Sequence, residues 1–329
     1  MKLGLCVVGC GQYAQTFAKG IQGILGEIDL YFASRDRQRA EAYCQMFQGS
    51  GAFGSYQEAA ADSRVEAMYL CTPHHLHQEH VAMAARAGKH VLLEKPISTT
   101  LEDGHRIIAA AQEAGITLMV AENYRFMPAV RCCKELVDRG EVGELRMIQL
   151  QEEASFQPGQ WRSIRDLNGG GVFIDGGIHK VHFLRYLAGE PQHIFAAAMP
   201  QALSQHEGED GLVMVAKWSS GLVGLINHSW VASHRLQPSW VAVSGTKGRI
   251  YFELGESQLR LEQGGTEHVI QLDEELSGLE SMVREFRESI REGRLPEVSG
   301  IQGLNDLALV LKAYESIEQG VSLPFAPAD

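Results

Sequence analysis

Three groups of residues carry chemistry by their types and spacing. Glu94-Lys95-Pro96 closes the short apolar run His90–Leu93. Asp175, His179 and His182 follow one another at intervals suited to one helix face, and Gly9-Cys10-Gly11-Gln12-Tyr13-Ala14 has the form G-x-G-x-x-A. A lysine at a strand end, partly desolvated among other charges, can have its pKa moved toward neutrality and serve in proton transfer. A carboxylate beside an imidazole orients the ring and stabilises its protonated form, as a general base requires. Each pattern also has a plainer reading: a surface charge pair, a helix N-terminal aspartate with a core histidine, or an ordinary tight turn.

The elements that must position these residues decide between the readings. The apolar run Leu3–Val8 leads directly into the glycine turn, and Ala14, Phe17, Ala18 and Ile21 behind it recur at helical spacing. Strand, turn and helix in that order make a dinucleotide site. Gly9 permits the turn, Gly11 lets a pyrophosphate approach the helix N-terminus at Gln12 and Tyr13, and Ala14 allows close helix–strand packing. The run Ile28–Ala33 is a second strand, followed by Ser34-Arg35-Asp36-Arg37 where an NAD site usually offers an acid. A hydroxyl and guanidinium groups suit a 2'-phosphate, so Ser34 and Arg35 favour NADP, while Asp36 leaves NAD open.

The alternation continues. Residues 65–71 form a strand ending in Thr72-Pro73-His74-His75-Leu76-His77, a helix begins at His77, and the run before Glu94 is the buried strand of a parallel sheet. Open parallel sheets bind ligands outside the carboxyl ends of their strands, which is where Glu94 and Lys95 sit. A helix over 101–114 and a strand over 116–121 complete a doubly wound sheet. The histidines between 74 and 80 invite a metal reading, but no cysteine or carboxylate group with ligand spacing stands beside them, so no metal is expected and they are assigned to helix N-terminal or cofactor contacts.

From residue 142 the texture changes to longer alternating runs at 145–155, 212–218, 222–230, 240–244, 249–254 and 259–262, joined by turns such as Gly245-Thr246-Lys247-Gly248. These predict a mostly antiparallel sheet with one face covered. Inserted near its start, the glycine-rich stretch 169–182 turns into a helix on which Asp175 and His179 are i, i+4 neighbours. Its glycines would be explained by a flat ligand lying against it. Leu279, Met282, Val283, Phe286 and Ile290 form one late helical stripe, and Leu304, Leu307, Ala308 and Leu311 another; both are core. The expected fold class is α/β: an N-terminal doubly wound parallel (Rossmann) sheet over 1–122, then an α+β domain with a large, mostly antiparallel open sheet over 123–329, whose last helix can pack back on the first domain.

The formal charge of -12, with no basic stretch to offset it, argues against nucleic acid or an anionic membrane as partner. No run approaches the ~18 apolar residues of a membrane span. The 6 cysteines fall in apolar segments without C-x-x-C spacing, which suits a reducing compartment, no disulfides and a cytoplasmic location.

The glycine turn Gly9 to Ala14, Thr72-Pro73 with His77, Gly88-Lys89-His90-Val91 running into Glu94-Lys95-Pro96, and Asp175 to His179 together resemble the Gfo/Idh/MocA family. Asn123-Tyr124-Arg125-Phe126 and Ala313-Tyr314-Glu315-Ser316 extend the similarity over nearly the whole chain. The resemblance implies an NAD(P)-dependent oxidoreductase acting on a hydroxyl or ketone of a sugar, polyol or related molecule, with Lys95, Asp175 and His179 as the catalytic set. It implies a cis peptide at Lys95-Pro96, a substrate held between the nucleotide domain and the sheet, and dimers or tetramers formed through that sheet. Thr72, Pro73, His77, Glu94, Lys95, Asn123, Trp161 and Arg162 are then cofactor contacts beside the glycine turn, Ser34 and Arg35. Lys95, Tyr124, Arg125, Arg162, His179 and His182 face the substrate.

Three departures bear on specificity: His74 replaces the asparagine common after Thr-Pro, and Lys180 and His182 stand where the family often has Glu or another residue and then Asp. Two other functions fit the same residues. One is a non-catalytic nucleotide-binding regulator; the other is a glycosidase that uses tightly held NAD for transient oxidation.

Overall fold

The computed structural model describes residues 1–231, 240–272 and 276–328. The chain divides into two compact units, Met1–Asn123 with Leu279–Leu304, and Tyr124–Gly278 with Asn305–Asp329. The sequence expectation placed the boundary at 122/123 and put 279–304 in the second domain, so the first unit gains a discontinuous segment.

In the first unit, strands and helices alternate as β1 (Leu3–Val8), α1 (Gln12–Gly20), β2 (Ile28–Ala33), α2 (Arg37–Met46), β3 (Gly51–Phe53), α3 (Tyr56–Ala61), β4 (Ala67–Leu70), α4 (His77–Arg86), β5 (His90–Leu93), α5 (Leu101–Glu113) and β6 (Leu118–Val120). The sheet order is β3-β2-β1-β4-β5-β6, all parallel, and the order reverses between β1 and β4. β1, β4 and β5 are apolar without alternation because both faces are covered, and they are buried apart from the half-buried His90. Short β3 and α3 had no place in the sequence expectation, since Gly51-Ala52-Phe53 is too short to show a period.

The register fixes which residues share an edge. Val8 lies beside Ala33 and Leu70, Leu70 beside Leu93, and Leu93 beside Val120. Gly9, Ser34, Cys71, Glu94 and Ala121 therefore emerge at one level along the carboxyl ends of the strands. The outer edge of β6 is closed by the discontinuous segment: the Val120 N–H donates to the Val298 carbonyl at 2.9 Å, and Met119 bridges Ser299. Covering an edge strand in this way removes an open template for pairing.

The second unit begins with α6 (Pro128–Asp138), which the sequence analysis did not anticipate although Pro128 stands at its first turn and Ala129, Val130, Cys133 and Leu136 form its buried face. β7 (Leu145–Glu153), α7 (Arg165–Asn168), α8 (Ile178–Ala188), β8 (His193–Ala198), β9 (Gly211–Lys217), β10 (Val223–Ser229), β11 (Val241–Gly245), β12 (Gly248–Phe252), β13 (Gln258–Gln263) and β14 (Thr266–Gln271) follow. α9 (Leu279–Glu292) belongs to the first unit, where Arg284 and Arg287 pair with Glu27; α10 (Gly300–Gln319) spans the partition, and β15 (Leu323–Pro324) ends the chain's regular structure. The sheet order is β14-β13-β12-β11-β7-β10-β9-β8-β15, with β7 and β10 parallel and the other pairs antiparallel.

One face of this sheet is covered by α8. Ile148, Leu150, Met214, Ile226 and Ile250 are buried, and the Gly224 Cα is so close to Leu184 that a Cβ would come within 2.7 Å of it. α8 is buried nearly all round although it carries His179, Lys180, His182 and Arg185, so those groups need partners inside the unit. The helix opens with a π-helical stretch, Phe173–Gly177, in place of the regular α-turn expected there. Among the described residues no helix is long and apolar enough to cross a membrane.

Candidate active site

The glycine turn has the geometry its sequence suggests. Gly9 has φ +96° and sits so close to β4 that a Cβ would meet the Cys71 carbonyl oxygen at 2.6 Å. Gly11, by contrast, has open space where its Cβ would be, at the N-terminus of α1, and no side chain caps that end. Open space before a helix terminus that no side chain caps fits a pyrophosphate. Ala14 is buried against the sheet.

At the end of β2 the charged residues sort themselves. Ser34 is buried and its hydroxyl accepts the Asp36 N–H at 3.1 Å, Asp36 caps α2 by accepting the Arg39 N–H at 3.3 Å, and Arg37 forks onto Glu58 at 2.7 and 2.8 Å. Arg35 is exposed and makes no ion pair among the described residues.

His77 requires a correction. It is fully buried, with Nδ1 2.9 Å from the Pro96 carbonyl oxygen and Nε2 3.0 Å from that of Thr72. Burial lowers its pKa to about 4, against the pull of those carbonyls. The neutral ring carries a single N–H, so it donates to one of these two carbonyls at a time, and its full burial leaves it no side-chain surface for a cofactor. Thr72 is buried too, its hydroxyl 2.9 Å from His80 Nδ1.

Glu94 and Lys95 face different surroundings. Glu94 is buried and accepts a hydrogen bond from the Tyr69 hydroxyl, and burial raises its carboxyl to about 7 against the pull of Lys95 and that bond. Lys95 is half-buried, and the Lys95-Pro96 peptide is cis, as expected. Glu122 and Asn123, just beyond β6, are buried.

In the second unit the π-helical stretch carries Asp175. The wider turn spoils the simple i, i+4 relation to His179. Asp175 pairs with Arg162 Nε at 2.9 Å, and the Arg162 guanidinium lies 4.6 Å from the centre of the Trp161 ring. His179 is stacked on Tyr124 with ring centres 4.1 Å apart and planes 10° from parallel. The predicted residues Tyr124, Trp161, Arg162, Asp175 and His179 thus form two tied groups within this unit.

Two of the expected substrate contacts have partners within this unit. His182 is buried, its Nδ1 2.8 Å from Asp306, which also pairs with Arg185, itself held by Glu190. Arg125 lies over the Tyr186 ring at 3.5 Å. Packing on α8 accounts for both.

Lys180, named above as a departure, meets two residues the sequence analysis missed, Glu152 and His228. Lys180, buried, pairs with Glu152 on β7 and lies 5.3 Å from the Trp240 ring centre and 5.8 Å from that of Tyr124. His228 on β10 sits 3.2 Å from the same Glu152 carboxylate, and burial together with Lys180 drives its pKa well down. The signal available was the pair Glu152-Glu153 ending an otherwise alternating strand. The glycine run also has a different cause from the flat ligand suggested above. A Cβ on Gly170 would strike the Tyr314 ring at 2.5 Å, one on Gly171 the Glu209 carboxylate at 1.7 Å, and one on Gly176 the Trp230 ring at 2.7 Å. The chain's own side chains fill that space.

Residues 3–122 match the oxidoreductase family, NAD-binding Rossmann fold, of the Gfo/Idh/MocA group, and residues 130–251 match a Gfo/Idh/MocA C-terminal domain. The chain is 34% identical to trans-1,2-dihydrobenzene-1,2-diol dehydrogenase of Mus musculus over 66% of its own length and 63% of that protein. It is 29% identical to myo-inositol 2-dehydrogenase of Thermotoga maritima over 97% of both chains. The crystal structure of aldose-aldose oxidoreductase from Caulobacter crescentus, complexed with glycerol, superposes with a TM-score of 0.90 at 26% identity, covering 99% of this chain and 100% of that one. With both domains matched and the glycine turn open at Gly11, the chain belongs to the Gfo/Idh/MocA family of NAD(P)-dependent oxidoreductases.

Proposed function

We propose that the enzyme interconverts a hydroxyl and a carbonyl on a sugar, polyol or related small molecule, with NADP favoured over NAD. One observation carries this most: the open helix terminus at Gly11 emerges on the same strand edge as Lys95, because the register of β1, β4 and β5 brings their carboxyl ends level. Relatives named for myo-inositol, an aldose and a dihydrobenzene diol support the substrate class. The nicotinamide, when bound, supplies the hydride acceptor or donor.

Each catalytic residue has a separate task. In the oxidising direction His179 accepts the hydroxyl proton, its ring plane fixed by Tyr124. Lys95 hydrogen-bonds the alcohol oxygen and stabilises the negative charge that develops on it. Asp175, held by Arg162, supplies the carboxylate that favours protonated His179. In reduction His179 is the acid. Lys95→Ala lowers turnover about 100-fold or more while NAD(P)H affinity stays within about threefold. Near-normal turnover would remove Lys95 from the mechanism.

The preference for NADP rests on Ser34 and Arg35: Asp36 is spent on capping α2 and Arg37 on Glu58, which leaves the Arg35 guanidinium for a 2'-phosphate. Titration with NADPH and NADH, followed by nicotinamide fluorescence, tests it; tighter NADH binding overturns it. Self-association through the large sheet is supported by its open face, where Phe195, Val215 and Leu225 lie side by side and Phe195 is 40% exposed. Light scattering checks the mass. Buried thiols such as Cys6 and Cys133 support a reducing compartment, taken as the cytoplasm.

A further inference from the structure

The helix that carries Asp175 and His179 has no cap of its own. Its first turn follows Gly169-Gly170-Gly171, which offer no side-chain acceptor, and the first N–H groups of any helix need partners. Here all come from distant residues. The Gly171 and Ile174 N–H groups donate to the Tyr314 hydroxyl at 3.2 and 3.0 Å, Val172 to the Glu209 main-chain oxygen at 2.9 Å, and Phe173 to Glu209 Oε1 at 2.6 Å.

The proton count closes. A phenol has one proton and two lone pairs. Tyr314 accepts two N–H bonds and donates its proton to Glu209 Oε1 at 3.2 Å. The same two side chains occupy the space above Gly170 and Gly171, so those glycines exist to admit them. We propose that Tyr314 and Glu209 are a remote cap that sets the π-helical register of the turn bearing Asp175, and that Tyr314 is thereby a positioning residue for the reaction. This rests on the assignment of Asp175 to the catalytic set.

Glu209 is half-buried, and desolvation raises its carboxyl to about 7 against the hydrogen bonds from Phe173 and Tyr314. A surface cavity of about 200 Å³ lined by Arg165, Glu207, Glu209, Tyr314 and Glu318 reaches the pair. Neither group is therefore sealed against proton exchange. The fixed turn is what keeps Asp175 against Arg162, and a regular α-turn would rotate it away.

Tyr314→Phe keeps the ring over Gly170 and removes only the hydroxyl. Hydrogen exchange of the full-length protein, read without substrate, is expected to speed up about tenfold at Gly171 and Ile174, with strands β1 and β4 unchanged. On the substrate identified by screening, kcat is expected to fall about tenfold or more with NADPH binding unaltered. In an Asp175→Asn background the same substitution is expected to cost nothing further, the mark of a residue acting through another. Glu209→Gln, which retains the acceptor oxygen for Phe173 and Tyr314, is expected to keep kcat within about threefold, whereas Glu209→Ala matches Tyr314→Phe. An unchanged kcat in Tyr314→Phe, or an equal loss in both Asp175 backgrounds, overturns the proposal. If Asp175→Asn alone leaves kcat intact, the catalytic assignment itself falls, a result distinguishable from the first because the exchange measurement does not depend on it.

Discussion

Replacing Glu94 with glutamine tests whether the residue before Lys95 is a buried acid under strain from its surroundings. Its carboxyl is raised from 4.5 to about 7 in the folded chain, chiefly by desolvation. Between those values the folded state holds a proton that the unfolded state has released, so stability falls as pH rises. Relative to acid, the loss is RT ln[(1 + 10^(pH − 4.5))/(1 + 10^(pH − 7))]. That gives about 0.8 kcal/mol near pH 5 and about 3.3 kcal/mol near pH 8, a difference of about 2.5 kcal/mol. Glutamine keeps an acceptor for the Tyr69 hydroxyl and never ionises. Urea unfolding of the cofactor-free protein, run on wild type and Glu94→Gln at both pH values, reads the quantity directly. The variant is expected to gain about 2.5 kcal/mol on wild type between about pH 5 and pH 8. Parallel profiles that agree within about 0.5 kcal/mol refute the claim that Glu94 holds its proton to near neutrality.

Other substitutions probe neighbouring parts of the first unit. Arg35→Ala is expected to weaken NADPH binding about tenfold and NADH binding by less than twofold, measured by fluorescence titration, because only the former brings a phosphate to the end of β2. His77→Ala removes a fully buried ring packed between the Thr72 and Pro96 carbonyls, with one N–H to donate to them, and is expected to cost about 2–4 kcal/mol in urea unfolding. A cost under about 0.5 kcal/mol would mean that the loops after β4 and β5 are held by something else.

The sequence made the first unit legible because each of its signals is local. β1, the glycine turn and α1 follow within twenty residues, and the apolar runs of β2, β4 and β5 need only a count of consecutive hydrophobics. What escaped was whatever depends on distant partners. His77 looked like a cofactor contact because it opens a helix beside the strand edge, yet its ring is used up by Thr72 and Pro96. His182 looked like the next residue of a catalytic face, and an aspartate more than a hundred positions away claims it. Leu279–Leu304 returns to the first unit because Val298 and Ser299 close β6 and Arg284 and Arg287 meet Glu27, contacts that no periodicity announces.

Both candidate catalytic segments solve one problem in the same manner. A side chain that must keep its direction needs a main chain that cannot turn, and main-chain direction is set by where N–H and C=O groups find partners. The loop bearing Lys95 is tied through the Pro96 carbonyl to His77, a side chain from the neighbouring strand-helix unit. The turn bearing Asp175 is tied through Gly171, Val172, Phe173 and Ile174 to Glu209 and Tyr314. In each case the candidate residue lies at an element end, and a polar side chain from elsewhere supplies a main-chain partner. Poor local capping is therefore the sequence signal to search for: a helix that opens on three glycines must be capped from a distance, and the residues that cap it belong with the site.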